Sequence, residues 1–262
     1  MTKHSLEVPI IPMADSPIAD SHVVNLKDLY GNELAGLDGE IGHVEDFYFD
    51  DNIWVIRYAI ADTASWLSDR LVLLSPHAFG KLDQVEKALR INLRKAQIQE
   101  SPTIDLHKRV TRQDEVEYYR HYGWPAYWAG DAMWGMGAYP VLVPTVKSDG
   151  EAQRVYYHRD DEHLRSTREV TGYPIEATDG RIGRVAGFLV DDRSWAIREV
   201  VVEAGHWYSG KEIRIPVSKI ERISYKETKV FVNLSKADID RTAKDGVAKG
   251  DGALTKASSL GA

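Results

Sequence analysis

The chain has 262 residues, 43% hydrophobic and 28% charged, with 33 Lys plus Arg against 40 Asp plus Glu for a formal net charge of -7, and no cysteine. Such a chain can bury a sizeable core, at a length where one domain or two are equally expected. Disulfides, thiolate metal sites and thiol nucleophiles are excluded outright, and the acidic balance has the wrong sign for a phosphate-backbone binder, so no nucleic-acid partner is expected.

Residues 1–21 hold three prolines and little periodicity and read as a flexible segment in which LEVPII could add an edge strand. The basic, apolar and small-residue zones of a signal peptide are lacking there, and no apolar run reaches the roughly 18 residues of a membrane span. A cytoplasmic protein is expected, with peripheral membrane association left open.

The next stretch, residues 22–105, reads as short strands between turns. DGEIGHVEDFYFDD (38–51) opens with Asp38-Gly39, a hairpin-turn pair, and Gly42 follows as a bulge position. IWVIRYAIA then alternates, Trp54, Ile56, Tyr58 and Ile60 on one face and Val55, Arg57 and Ala59 on the other. RLVLL precedes Pro76, and ALRINL leads into a helical turn, KAQI.

Residues 106–160 change character. Thr111 with Asp114 makes a capping box for a helix over TRQDEVEYYRHY, which Gly123 and Pro125 end. The connector carries Tyr118, Tyr119, Tyr122, Trp124, Tyr127, Trp128, Trp134 and Tyr139, with Met133 and Met136, and no passive linker needs so many large rings. Either these rings pack onto the flanking domains, or they form a protein interface, where Trp, Tyr and Met are enriched, or they stack a ligand.

Residues 161–243 repeat the first stretch at a spacing of 141. Asp38, Gly39, Gly42, Trp54 and Arg57 recur as Asp179, Gly180, Gly183, Trp195 and Arg198, within 11 identities in a 23-residue window, and INLRKAQI recurs as VNLSKADI with Ser235 as an N-cap. So long a period means two tandem domains. Residues 244–262 are small and polar, as a disordered tail is. The fold class expected is mainly β, two small antiparallel β-barrels joined by a helical, aromatic connector.

The string DGxIGxVxxFxxDD, a tryptophan-bearing strand, a strand ending near proline and VNLxKxxI resemble the PRC-barrel domain, over residues 22–104 and 162–243. That family includes the cytoplasmic part of the photosynthetic reaction-centre H subunit and half of a ribosome-maturation factor. The resemblance implies a six-stranded barrel used as a binding module, most like the bacterial tandem proteins. The chain departs from both namesakes in showing neither an N-terminal membrane helix nor a ribosome-binding domain.

Chemical motifs are scarce. Asp38, Asp50 and Asp51, mirrored by Asp179, Asp191 and Asp192, lack the spacing of a calcium loop. The nine histidines form no HExxH pair, and His43 becomes Arg184 in the second copy. No phosphate loop, dinucleotide fingerprint or nucleophile elbow occurs. No catalytic residue, cofactor or metal ligand is expected, and Arg57 and Arg198 each read as the partner of a carboxylate in their own barrel. The function expected is that of a non-enzymatic scaffold, self-associating as a homo-oligomer through barrel and connector surfaces. The alternative is a small-molecule- or metal-binding protein of redox or photosynthetic membrane complexes.

Overall fold

A computed structural model describes residues 22–63, 66–67, 70–104, 109–130, 132–135, 137–140, 164–205 and 212–241. The LEVPII strand, Met136, Trp207, three of the histidines near the connector (His107, His158 and His163) and the tail after 241 lie outside the described residues.

The protein is mainly β, in two seven-stranded sheets. One half runs β1 (Val23–Asn25), β2 (Glu33–Gly36), β3 (Gly39–Asp50), β4 (Val55–Asp62), β5 (Leu71–Leu74), β6 (Phe79–Asp83) and β7 (Ala88–Ile91). The other runs β8 (Leu164–Ser166), β9 (Pro174–Ala177), β10 (Gly180–Asp191), β11 (Ile197–Ala204), β12 (Glu212–Pro216), β13 (Ile220–Ser224) and β14 (Lys229–Val232). The strand orders correspond, β5-β4-β3-β2-β7-β6 and β12-β11-β10-β9-β14-β13.

Two features differ from the expected antiparallel barrel. In each half one pair, β2 with β7 and β9 with β14, is parallel. The hydrogen-bonded path is also open, because its end strands β5 and β6 are joined by the 3-10 turn Pro76–Ala78 and do not pair. Pro76 has no N–H to offer a ladder there.

The halves are interlocked. β1 pairs with β10, Val24 opposite Val190, and β8 pairs with β3, Arg165 opposite Phe49. β1 and β8 lie 141 positions apart, so each repeat lends its first strand to the other, about a pseudo-twofold axis. Near that axis Val55 bridges Ala196. Ile56 N–H donates to the Trp195 carbonyl at 2.8 Å and Ile197 N–H to the Trp54 carbonyl at 2.7 Å. Trp54 and Trp195 both sit at left-handed φ, 57° and 58°, a conformation that costs a side-chain-bearing residue about 1–2 kcal/mol. Turned this way, each carbonyl meets the opposite repeat, and the paired hydrogen bonds offset the strain. Phe79 and Phe47 pack on Trp195 at 4.7 and 6.2 Å between centroids, and Phe49 on Phe188 at 5.7 Å, so one buried cluster spans both repeats.

The repeated motif residues have structural work. Asp38 accepts from the backbone N–H of Lys95, the first residue of α1 (Lys95–Gln99), and Asp179 from that of Lys236, both at 3.0 Å. Ile41 and Ile182 bulge out of register, and Gly42 and Gly183 follow because a Cβ there would strike the carbonyl oxygens of Asp62 and Glu203. Ser235 Oγ accepts from Asp238 N–H, the predicted N-cap.

Candidate functional site

The connector builds the one region with no counterpart in the other repeat. Its helix α2 (Arg112–Tyr122) begins at Thr111, whose capping box with Asp114 is formed, and ends at Gly123 in the left-handed conformation. Glu115, Tyr118, Tyr119 and Tyr122 share the face turned toward the first sheet, at helical spacing.

That face grips β4 and β5. Glu115, fully buried, accepts hydrogen bonds from the hydroxyls of Tyr58 and Tyr127, both at 2.7 Å, and pairs with Arg112 at 2.7 Å. Tyr118 hydroxyl donates to the Leu73 carbonyl at 2.8 Å and accepts from Ser75 N–H at 3.2 Å, occupying the outer edge of β5. His77 is buried in an aromatic box, stacked on Trp124 and edge-on to Tyr119 and Trp134, with Nδ1 3.1 Å from Ser75 Oγ. Burial, and then the nearby Arg57 cation, lower its pKa to about 4. Burial and the Glu115 charge push the Tyr58 hydroxyl well above its ordinary range.

The seven rings expected as interface candidates lie in the chain's own interior. Tyr118, Tyr119, Trp124, Tyr127 and Trp134 are buried, and Tyr122 and Trp128 are half-buried against the core. Trp134 also donates from its indole N–H to the Ser194 carbonyl at 2.8 Å, tying the connector to the second repeat. Being large and apolar, these rings gain more from the gap beside β4 than from water.

Beyond the helix the connector turns over Arg57. This side chain is 1% exposed, its guanidinium carbon 3.7 Å from the centroid of Tyr127 and 4.7 Å from that of Trp134. Nη1 donates to the Met133 carbonyl at 2.8 Å. Nη2 stands 3.9 Å from Asp50 Oδ2, an ion pair beyond hydrogen-bond reach. Nε–H is buried with no acceptor in the protein. Arg198 pairs equivalently with Asp191 at 3.4 Å, so both arginines have the expected intra-repeat carboxylate, but Arg198 is 40% exposed and, among the described residues, has no aromatic ring over its guanidinium.

Between roof and sheet lies a groove of about 370 Å³, lined by Asp50, Ile53, Arg57, Arg112, Tyr127, Trp128, Gly130, Ala132 and Met133. Its size falls at the small end of ligand sites. Arg112 lies over the Trp128 ring at 4.5 Å, which fixes a second guanidinium at the wall.

The chain matches no protein-family model and no curated protein. Among the described residues no group of three or more His, Cys, Asp or Glu could hold a metal ion, and no helix is long and apolar enough to cross a membrane. Asp38, Gly39, Gly42, Trp54 and their counterparts Asp179, Gly180, Gly183 and Trp195 serve the hairpin and the pseudo-twofold contact, away from the groove. Of the repeated motif positions, Asp50 and Arg57 line it. Sequence reasoning passed over Glu115 and His77. The signal for Glu115 was its place three residues before Tyr118, on the aromatic face of an amphipathic pattern. For His77 it was the 3-10 turn that Pro76 begins, facing a tryptophan-rich connector.

Proposed function

We propose that the protein is a non-enzymatic binding protein of the PRC-barrel type, in which the duplicated repeat is a rigid platform and the groove beneath its connector takes a small ligand. One observation carries this reading, the contrast between two equivalent arginines. Arg198 is half-exposed beside its aspartate, whereas Arg57 is sealed under Tyr127 and Trp134 at the wall of a groove. A platform alone has no need of that elaboration, and a guanidinium enclosed by rings beside an open space is how binding proteins arrange specificity.

The test is a thermal-shift screen of aromatic acids, nucleotides, neutral aromatics and divalent cations. A compound that binds the native state raises the melting temperature, and Ala132→Trp, which fills the groove from an exposed position, should abolish the rise. No rise from any class with the wild-type chain would sink the reading. Self-association through the connector has the burial of its rings against it. Light scattering over a concentration series tests it directly, since a defined multimer would restore that reading.

A further inference from the structure

We infer that the pseudo-twofold surface is a self-recognition surface that a second copy of this chain can fill, giving a reciprocal dimer in which the first repeat of each chain pairs with the second repeat of the other.

The contact has the form of a twofold dimer interface. Each repeat lends a strand and takes one, β1 lying on β10 and β8 on β3. The second aspartate of each Asp-Asp pair holds the strand received. Asp51 accepts from Arg165 Nε at 3.2 Å and from the Tyr225 hydroxyl at 2.9 Å. Asp192 stands 3.2 Å from His22 Nδ1 and donates its N–H to the His22 carbonyl at 2.8 Å. Just past β8, Thr167 Oγ1 and Arg168 N–H donate to Asp46 at 2.9 and 3.2 Å. Together with the paired carbonyls of Trp54 and Trp195, these bonds all run between residues 22–140 on one side and 164–241 on the other. A surface satisfied by its own duplicate is the self-complementary kind that closes twofold dimers.

The connector does not fix which second repeat is used. Its helix α2 stays with the first repeat through Tyr58 and Leu73, and the bond from Trp134 to the Ser194 carbonyl reaches whichever second repeat occupies the surface. Only segment 141–163 joins the two sides. A chain of that length spans up to about 80 Å, and a domain of this size is roughly 30 Å across. Exchange therefore alters no contact among the described residues, and concentration sets the balance. A covalent tether acts as an effective concentration on the order of 1 mM, so the chain's own repeat is favoured below that level and a second copy's competes near it. Because exchange opens both repeats, it proceeds through unfolding and does not follow concentration or dilution of the folded chain.

The experiment exploits a chain without cysteine. Val24→Cys on one full-length chain and Val190→Cys on another put thiols at facing positions of β1 and β10, at a Cα separation of about 4.5–5.5 Å that a disulfide spans. Neither chain can form this bridge within itself. The two are unfolded together, refolded over a concentration series and oxidised. The dimer should rise from about 1% of chains refolded at about 5 µM to about a third at about 0.5 mM, with light scattering reading twice 29.5 kDa. A covalent bridge between the two chains should rise with it, and neither chain refolded alone should form one. Co-expressing the two chains reads the same bridge where they fold in the cell. A single chain carrying both cysteines, refolded dilute, should close the bridge internally and remain a monomer. Asn25→Cys with Leu189→Cys, the next facing pair, replaces it if that bridge does not close. Refolding to monomer alone at every concentration would overturn the inference. So would a dimer that lacks the bridge between chains while the double-cysteine chain closes its own, because such a dimer uses another surface.

Discussion

The two repeats share a strand order, a bulge before glycine and a left-handed tryptophan on the pseudo-twofold axis, yet they use one face differently. In the first repeat that face presents Tyr58, Leu73 and His77, all buried beneath the connector. The positions 141 residues on are Glu199, Arg214 and Ser218, half-buried or exposed. Backbone geometry is thus common to both repeats, and a few side chains decide whether a face acquires a cover. The groove exists because the cover reaches past the sheet as far as Arg57.

The paired arginines give the largest test of that difference. Arg57→Ala removes a buried cation from Asp50, the Met133 carbonyl and two aromatic rings. We expect a loss of about 3–5 kcal/mol, the range for breaking a buried ion pair from one side. Arg198→Ala, at 40% exposure, should lose about 1 kcal/mol at most. Chemical denaturation with unchanged m-values checks both, and equal losses would show that the connector does not set the two arginines apart. Arg57→Met restores packing but leaves the Asp50 charge without its guanidinium, so most of the stability should return only in the double variant Asp50→Asn with Arg57→Met, which replaces the pair as a whole.

Acid sharpens the comparison further, because only the first repeat buries a histidine at this position. Free histidine titrates near 6.5, and burial holds His77 at about 4. The unfolded chain therefore binds a proton between these values that the native chain refuses. The contribution of His77 is complete above pH 6.5, falls as pH drops through that window and is lost below pH 4. Its total is about 3 kcal/mol at roughly 1.4 kcal/mol per pH unit. His77→Gln should flatten this limb of a stability profile measured between pH 7 and 4. A wild-type slope that survives the substitution would locate the acid sensitivity elsewhere.

How much of this could be seen in the sequence follows from the range of each interaction. Asp38-Gly39 and the 141-residue spacing expose the hairpins because turn chemistry is local, and Thr111, Asp114 and Gly123 bound α2 for the same reason. The exchange of β1 and β8 is hidden. VVN and LRS share no residue, and three-residue strands carry no usable period. Nor does alternation reveal direction, so the parallel pairing of β2 with β7 was out of reach. The rings of the connector announce burial but not what they are buried against, since interface cores and domain cores draw on the same residues. Of the groove lining, Asp50, Arg57, Tyr127 and Trp128 stood out in the sequence, but as a repeated ion pair and as connector rings, not as parts of one groove. Glu115 and His77 depend on contacts between segments far apart in the chain.

The smallest test concerns how each repeat protects the outer edge of its sheet, a place where exposed N–H and carbonyl groups invite pairing with other chains. On β5 the connector supplies Tyr118, whose hydroxyl serves both the Leu73 carbonyl and Ser75 N–H. In the second repeat the residue equivalent to Ser75 is Pro216, which has no N–H to satisfy. Ser75 already has proline-compatible angles, φ -75° and ψ 145°, so Ser75→Pro leaves the backbone unstrained, although the ring must displace the Tyr118 hydroxyl that lies 3.2 Å from Ser75 N. The substitution removes the N–H along with the Oγ contacts to His77 and Tyr119 and crowds the Tyr118 hydroxyl, for an expected loss of about 2–4 kcal/mol. Pro216→Ser should stay within about 0.5 kcal/mol, as a substitution at a half-buried position outside the core usually does. The decisive measurement is the double variant with Tyr118→Phe. If the tyrosine hydroxyl is what satisfies the edge, the bond it shares with Ser75 is lost only once, and the combined loss falls short of the sum of the single losses by about 0.5 kcal/mol or more. Strict additivity would mean that Tyr118 is held by packing alone and that the β5 edge is protected by the bulk of α2.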